Sequence, residues 1–203
     1  MSYTVKMYRG NYYDRQMAAN QDNAIVYVEH HFNSCGAIGA NYNVVIVGSN
    51  ASRTSIEMAD RYSDLIEERF GVKQWDGNYS DSIDGVLPGG FGGRGNYNLK
   101  FTSMPSMLVE PLFVSCKEGA SIASSHSGRS ILAEVLAQTI EEAFPEGGLV
   151  AFSVGHKYKR TRPADRGASV YGEDPCPTDS LGHNEADYAE DVLIKTAELL
   201  ESL

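Results

Sequence analysis

Histidine and glutamate side chains stand at the ends of apolar, strand-like segments in this 203-residue chain. In chain order the candidates are His31, Glu110, His156 and, at the start of a helical pattern, Glu185. Two imidazoles and one carboxylate form a ligand set used by catalytic zinc sites, which keep a further position open for water. A separate carboxylate is needed to accept the proton of that water and pass it to the leaving group. These residue types and positions therefore predict a hydrolytic zinc site.

Short apolar runs predict the strands that would carry these side chains. Several of the runs are rich in β-branched residues, as in strands that are buried on both faces of a sheet. Strands are predicted at 3–8, 24–28, 43–47, 99–102, 106–109 and 149–154.

Segments with apolar residues three or four positions apart predict the helices. Helices are predicted at 14–23, 55–70, 127–144 and 185–200, with Asp14 as a candidate N-cap and Gly71 as the residue that ends the second helix. The alternation of strands and helices predicts a single α/β domain, a mostly parallel twisted sheet of about five to six strands with helices on both faces. Ligands bind at the carboxyl ends of the strands in such folds, which is where the histidines and glutamates fall.

The length, composition and charge limit the possible classes of protein. With 203 residues and a hydrophobic fraction of 42%, the chain is predicted to form one domain, residues 1–203. The formal net charge of −10 argues against nucleic acid as the main partner. No apolar run approaches the roughly 20 residues of a membrane span, and the first residues lack the pattern of a secretory signal. The three cysteines are widely spaced and predict reduced thiols.

Three further segments have ordinary interpretations. The glycine-rich segment 89–95 has no strand before it and no helix directly after it, so a surface loop lining a cleft is favoured over a phosphate loop. The basic cluster 157–162 is interpreted as a solvated part of a polar loop at about 157–182. His126 lies among serines, but no Gly-x-Ser-x-Gly motif supports Ser/His catalysis.

Five segments resemble those of the zinc-dependent N-acetylmuramoyl-L-alanine amidases, the type 3 amidase family. Residues 104–115, Met-Pro-Ser-Met-Leu-Val-Glu-Pro-Leu-Phe-Val-Ser, resemble the segment that carries the family's catalytic glutamate and are the most specific of the five. His31-Phe-Asn33 resembles the family's S-x-H-x-N segment. The strand ending in Gly155-His156 and the helix start Gly182-His-Asn-Glu185 are weak alone and gain weight from their context. The fifth segment is the strand 5–9 with Asp14 and Asn20 downstream.

The order of these segments differs from that of the family. In the family, the Gly-His strand and the glutamate helix come first, and the strand resembling 5–9 follows them. In this chain the strand 5–9 comes first, and the Gly-His strand and the glutamate helix come last. The resemblance therefore implies a circularly permuted amidase-like topology with its junction near 145–148. Domain termini often lie close together at the surface, which makes such a rearrangement physically accessible. Further departures are Glu29 where the family has a small residue, and a long gap between His156 and Glu185.

The resemblance implies an activity and a role for each residue. The protein would hydrolyse the amide between N-acetylmuramic acid and the L-alanine of the peptidoglycan stem peptide. The Zn²⁺ ligands would be His31, His156 and Glu185. Glu110 would be the general base, and the substrate-binding residues would be Asn33, His183 and Arg94. With a cell-wall substrate and no signal sequence, the expected role is a phage endolysin that stays in the host cytoplasm until it is released to the wall.

Alternatives stay open for the ligands and for the function. His30 could replace His31, although adjacent strand residues face opposite ways and the H-x-N spacing favours His31. His183 is the alternative to His156, and Glu185 could be an acidic residue favoured only by the helix dipole. The alternative functions are a zinc carboxypeptidase-like peptidase and a metal-free wall-binding or regulatory relative.

Overall fold

The computed structural model describes residues 2–35, 40–77, 83–156 and 185–203. Within these ranges the strands are β1 (Ser2–Met7), β2 (Val26–His30), β3 (Val44–Val47), β4 (Val86–Pro88), β5 (Gly90–Phe91), β6 (Arg94–Gly95), β7 (Ser106–Glu110) and β8 (Gly147–Val154). The α-helices are α1 (Tyr12–Gln21), α2 (Arg53–Phe70), α3 (Lys117–Ser124), α4 (His126–Ala143) and α5 (Glu185–Glu201).

Six of the strands form one mixed sheet in the order β1-β8-β2-β7-β3-β4. The neighbours β1, β8, β2 and β7 run parallel to one another. β3 is antiparallel to β7 and parallel to β4, so these two strands run against the other four. The short strands β5 and β6 form a separate hairpin. The predicted α/β fold with a mostly parallel sheet is confirmed.

Helices cover both faces of this sheet, as the sequence predicted. On one face, α2, α4 and α5 pack over a large core that includes Val28 and Phe152. On the other face, α1 packs over a smaller core that includes Tyr27 and Ala151. Successive strand residues alternate between the two cores, as the pleat requires. None of the helices in the described ranges is both long and apolar enough to cross a membrane.

The helix ends follow local capping chemistry. The prediction of Asp14 as the N-cap of α1 is wrong, because the Asn11 side chain accepts hydrogen bonds from the backbone N–H groups of Tyr13 and Asp14. Asparagine caps as well as aspartate does, and Asp14 then lies in the first turn, where its carboxylate accepts from the Asn11 amide at 2.6 Å. α2 ends at Gly71 with a φ of 68°, the left-handed conformation expected there.

Several segments differ from the sequence prediction. The statement that no strand precedes the glycine-rich segment 89–95 is wrong, because the three-residue strand β4 lies directly before it, and the segment itself forms the β5–β6 hairpin. Residues 99–102 form no strand, because they follow a 3₁₀ turn at Asn96–Asn98 whose Asn96 carbonyl accepts from the N–H groups of Leu99 and Lys100. α3 was not predicted; this helix has only eight residues, and its fully buried positions, Gly119 and Ala123, are both small.

The first strand and the last helix are neighbours in space. β1 pairs along its length with β8, from Ser2 beside Gly147 to Met7 beside Phe152. α5 packs against β1, and the Val5 N–H donates to the Glu201 carboxylate at 2.9 Å.

Candidate metal centre and catalytic site

The carboxyl ends of three neighbouring parallel strands meet at one edge of the sheet. His30 ends β2, with β7 on one side and β8 on the other. Continuing that register by one residue sets His31 between Glu110 and Gly155, and the Gly155 N–H donates to the His30 carbonyl at 2.9 Å. Neighbouring strands lie about 4.8 Å apart, so this register brings the predicted site residues together.

Alternation along β2 sends two adjacent histidines to opposite faces of the sheet. His31 lies on the face of Glu29, whereas His30 lies on the face of Val28 and contacts the Phe32 ring at a centroid distance of 5.0 Å. His30 is fully buried, and neither of its ring nitrogens has a hydrogen-bond partner in the described part of the chain. The structure thus brings His31, and not His30, to the candidate site.

The geometry explains why a glycine, Gly155, comes directly before His156. A Cβ added at Gly155 would lie 2.3 Å from Cε1 of His31, so any side chain there would overlap the imidazole. His156 follows with a φ of 59°, a left-handed conformation that is uncommon for a residue with a side chain. The rings of His31 and His156 meet edge to face with centroids 4.8 Å apart. The glycine makes room for one histidine, and the turn after it directs the other towards the same point.

His31, His156 and Glu185 converge on one oxygen atom. Nδ1 of His31 lies 3.2 Å from Oε1 of Glu185, and Nε2 of His156 lies 2.8 Å from the same oxygen. One ligand atom from each of the three residues lies within 4.8 Å of the others. Glu185 is the first residue of α5 and is buried. A strand end, a turn and a helix start therefore supply the predicted ligand set.

Charge interactions outweigh the cost of burial in this cluster. Burial would lower the pKa of His31, but the Glu185 and Glu29 carboxylates raise it to about 10. Burial likewise opposes ionisation of Glu185, but the His156 and His31 imidazoles lower the pKa of its carboxyl group. The buried carboxylate is therefore ionised at neutral pH, and the point where the three groups meet favours a positive charge.

This donor set fits a zinc ion. Imidazole nitrogen and carboxylate oxygen are both good zinc ligands, and two histidines with one carboxylate are a combination found in catalytic zinc sites. Three protein ligands leave a position for water or substrate. The cavity described below reaches both His31 and His156, so that position has access from outside.

Glu110 ends β7 beside His31. Its Oε2 accepts a hydrogen bond from Nδ2 of Asn33 at 2.8 Å. Asn33 is itself fixed by its backbone, which donates to the Leu112 carbonyl and accepts from the Val114 N–H, both at 2.9 Å. The amide therefore holds one carboxylate oxygen of the predicted general base, while the base still lines the cavity.

A cavity of about 240 Å³ opens at this edge of the sheet. Its polar side includes His31, His156, Glu110 and Asn33, and its apolar wall includes Tyr42, Phe91 and Phe113. Burial and the Glu110 carboxylate raise the pKa of Tyr42, which keeps this wall uncharged at neutral pH.

The glycine-rich segment lines this cavity through the β5–β6 hairpin. Phe91 and Arg94 both lie on the lining, as expected for a loop beside a cleft. Of the three predicted substrate-binding residues, Arg94 and Asn33 are therefore at the cavity. His183 lies outside the described residues, as does the predicted polar loop at 157–182.

The sequence predicts no role for Glu29, which stands where the resembled family has a small residue. The structure places its carboxylate against His31. Its Oε1 lies 2.9 Å from Nε2 of His31, and its Oε2 lies 3.4 Å from the buried guanidinium of Arg15. Burial opposes its ionisation, but Arg15, His31 and the Asn98 amide lower the pKa of Glu29 to about 2. The signal that could have found it is alternation, because residues 29 and 31 of a strand share one face.

Comparison with protein families gives one match for this chain. Residues 2–142 match the family described as N-acetylmuramoyl-L-alanine amidase. The matched range contains His31 and Glu110 and ends before β8 and α5, which lead to His156 and Glu185. A comparison with curated protein sequences finds no match.

Several solved structures share the fold. The N-acetylmuramoyl-L-alanine amidase from Clostridium difficile 630 is 20% identical with a TM-score of 0.53, and the alignment covers 67% of this chain and 66% of that one. Ami1 from Mycobacterium smegmatis is 19% identical with a TM-score of 0.56, with 70% and 67% covered. The CwlD amidase from Clostridioides difficile, solved with the GerS lipoprotein, is 16% identical with a TM-score of 0.53, with 66% and 61% covered. The chain thus spans just under two thirds of the length of the first of these relatives, and at such identities the likeness establishes the fold.

Proposed function

Because the chain belongs to the N-acetylmuramoyl-L-alanine amidase family, which matches residues 2–142, we propose that it is a zinc-dependent amidase of peptidoglycan. The bond it hydrolyses joins the lactyl group of N-acetylmuramic acid to the L-alanine of the stem peptide. The observation that carries this proposal is the convergence of His31, His156 and Glu185 at a cavity that Glu110 also lines.

Each side chain has a part in this hydrolysis that follows from its position. Nδ1 of His31, Nε2 of His156 and the Glu185 carboxylate would hold the ion. A bound zinc ion supplies Lewis acidity, which polarises an amide carbonyl and makes water a nucleophile at neutral pH. Glu110 accepts the proton of the attacking water and returns it to the leaving alanine amine. Asn33 donates to Oε2 of Glu110 and so fixes the orientation of this carboxylate beside His31.

Substrate contacts are assigned to Arg94, Asn33 and His183. Arg94 supplies a positive charge at the cavity of a chain whose formal net charge is −10. A guanidinium pairs well with a carboxylate, and stem peptides carry carboxylates. Arg94 on the β5–β6 hairpin is therefore suited to the peptide side of the substrate.

A decisive experiment follows the metal and the cleaved bond together. The purified protein is expected to bind one zinc ion and to release stem peptides with a new N-terminal alanine from purified peptidoglycan. A chelator should abolish release, and zinc should restore it. Glu110→Gln is expected to lower the rate by about 10²–10⁴-fold, the usual contribution of a general base, with zinc binding unchanged.

A matched control and two further outcomes separate the alternatives. Glu142→Gln makes the same substitution at a glutamate paired with Arg61 on the surface, and it should leave the rate unchanged. Shortened stem peptides that stay attached to the glycan would indicate a carboxypeptidase-like enzyme. A folded protein that takes up no zinc would indicate a metal-free wall-binding or regulatory relative.

We extend the proposal to a circular permutation of the family's topology. The family match ends within α4, just before the proposed junction at 145–148. β8 and α5, which follow that junction, carry the chain into the middle of the sheet and against β1. The Val5–Glu201 hydrogen bond, between the middle of β1 and the end of α5, supports a connection between the two elements.

Rearranging the chain tests the permutation. A variant that joins α5 to β1 through a short glycine-rich linker and opens the chain at 145–148 is expected to fold and to bind zinc. A control variant opened inside β7, between Leu108 and Val109, should not fold, because that strand lies in the interior of the sheet. Failure of the first variant alongside the second would count against the permutation but not against the amidase activity.

The biological setting proposed from the sequence is that of a phage endolysin. Zinc-loaded protein added to permeabilised bacterial cells is expected to clear the suspension, and Glu110→Gln should not. Peptide release from purified wall without clearing of cells would favour wall remodelling over lysis.

A further inference from the structure

We propose that Glu29 is a positioning residue that accepts a hydrogen bond from Nε2–H of His31 and thereby presents Nδ1 of that imidazole to the metal. This inference rests on the zinc site of the proposed function. It adds a residue that lies outside the ligand set and that replaces a small residue of the resembled family segment.

The two ring nitrogens of His31 face two different carboxylates. Nδ1 lies 3.2 Å from Oε1 of Glu185, the oxygen that also lies 2.8 Å from Nε2 of His156. Nε2 lies 2.9 Å from Oε1 of Glu29, on the other side of the ring. A neutral imidazole has one N–H and one lone pair, so a metal on one nitrogen requires the proton to be on the other. The geometry assigns the lone pair to Nδ1 and the proton to Nε2.

Glu29 is held firmly enough to orient the ring. Oε1 also accepts from Nδ2 of Asn98 at 2.6 Å, and Oε2 accepts from the Tyr27 hydroxyl at 3.3 Å. Arg15, at 3.4 Å from Oε2, supplies the compensating charge. Glu29 and Arg15 are both fully buried, where an unpaired charge would be very costly.

Arg15 is in turn fixed to the strand that leads to His156. Its guanidinium donates to the Ser153 hydroxyl and to the Val154 carbonyl of β8. Helix α1, strand β2 and strand β8 are therefore joined through Arg15 and Glu29 directly behind His31. Carboxylates in this position behind a metal-binding histidine fix its ring orientation and raise its basicity.

The alternative role for Glu29 is that of a structural ion pair with Arg15. Both roles predict a loss of stability when the carboxylate is removed. Only the positioning role predicts a loss of zinc affinity in protein that is still folded, because Glu29 contacts the nitrogen of His31 that faces away from the ligand cluster.

The test compares zinc affinity and stability in Glu29→Gln. Zinc dissociation constants would be measured by competition with a chromophoric chelator, and the stability of the metal-free protein by urea unfolding. Glu29→Gln is expected to bind zinc about 10–100-fold more weakly, the usual cost of losing a partner behind a ligand. Glu142→Gln, which also removes a carboxylate paired with an arginine, should leave the zinc affinity unchanged.

A second measurement on the unsubstituted protein needs no folded variant. In zinc-loaded protein with ¹⁵N-labelled histidine, the His31 ring is expected to carry its proton on Nε2. A proton on Nδ1 would overturn the proposal, and so would a Glu29→Gln affinity equal to that of the Glu142→Gln control. If the unsubstituted protein binds no zinc, the zinc site itself fails, and that outcome is distinct from both of these.

Discussion

The two faces of β2 give adjacent histidines opposite properties. On one face, His31 lies between the Glu29 and Glu185 carboxylates, which raise its pKa to about 10. On the other face, His30 lies in the large apolar core, and burial lowers its pKa to about 3. The residue type is the same and the backbone positions differ by one. The pleat of the strand therefore decides which imidazole has carboxylate partners that favour a positive charge and which stays neutral.

The two faces also differ in how their polar atoms are satisfied. Both ring nitrogens of His31 have carboxylate partners, whereas neither nitrogen of His30 has a hydrogen-bond partner among the described residues. A buried polar group without a partner costs free energy. The contrast therefore holds for the two imidazoles themselves: the His31 ring is paired at both nitrogens and the His30 ring at neither, among the described residues.

The strongest way to break this contrast is to remove each histidine in turn. His31→Ala is expected to weaken zinc binding by more than about 100-fold, beyond the loss caused by residues behind a ligand, and to abolish peptide release. His30→Leu should retain both properties. Zinc titration with a competing chelator would measure this, and equal losses in the two variants would show that the faces do not divide the roles.

Metal removal should lower the stability of proteins that retain His31, whether or not His30 is present. With free zinc at about 100 times its dissociation constant, binding is expected to stabilise the folded protein by about 2.7 kcal/mol, since the ion binds the folded state. Thermal unfolding with and without chelator should show this difference in the unsubstituted chain and in His30→Leu. A zinc-dependent shift that persists in His31→Ala would place the metal elsewhere.

The close approach of His31 to Gly155 provides another test of the face that carries His31. Gly155→Ala would place a methyl group 2.3 Å from Cε1 of His31 and should displace the ring. We expect a loss of stability of about 1–3 kcal/mol from overpacking, together with weaker zinc binding. Gly71→Ala is the control, because a Cβ there meets nothing within 4 Å, although its φ of 68° carries a strain of its own. Unchanged zinc affinity in Gly155→Ala would mean that the ring has room to move aside.

The smallest expected effect belongs to the apolar face. His30→Leu should raise the free energy of unfolding of the metal-free protein by about 1 kcal/mol, because it removes buried nitrogens that have no partner. His30→Gln retains a polar group and should give no such gain. Urea unfolding would compare the two, and a less stable His30→Leu protein would reveal a partner for the imidazole.

Much of the site could be predicted from the sequence because strand ends carry a local signal. His31, His156 and Glu110 follow apolar runs, and the parallel register brings such ends to one edge. Alternation predicted only that the two adjacent histidines would not both bind one ion. The preference for His31 depended on the H-x-N spacing of the resembled family, and the structure places His31 beside His156 and Glu185. The assignment of Glu185 depended on the family resemblance, since its helix start is ordinary by itself.

Other features depend on contacts that no local pattern contains. The Glu29–Arg15 ion pair joins a strand to a helix, and neither residue stands in a motif. The antiparallel direction of β3 could not be predicted, because its apolar sequence is compatible with either strand direction. α3 was not predicted because it is only eight residues long and buries only the small residues Gly119 and Ala123.

The place of β8 in the sheet has a consequence for protein synthesis. β8 lies between β1 and β2, yet it is the last of the described strands to leave the ribosome. β1 pairs only with β8 within the described sheet, so it must wait for about 145 further residues before it can join. Two strand edges stay open during that time, which exposes the nascent chain to wrong pairing. Because Glu185 follows later still, the growing chain contains Glu110 and His31 long before it can bring His31, His156 and Glu185 together.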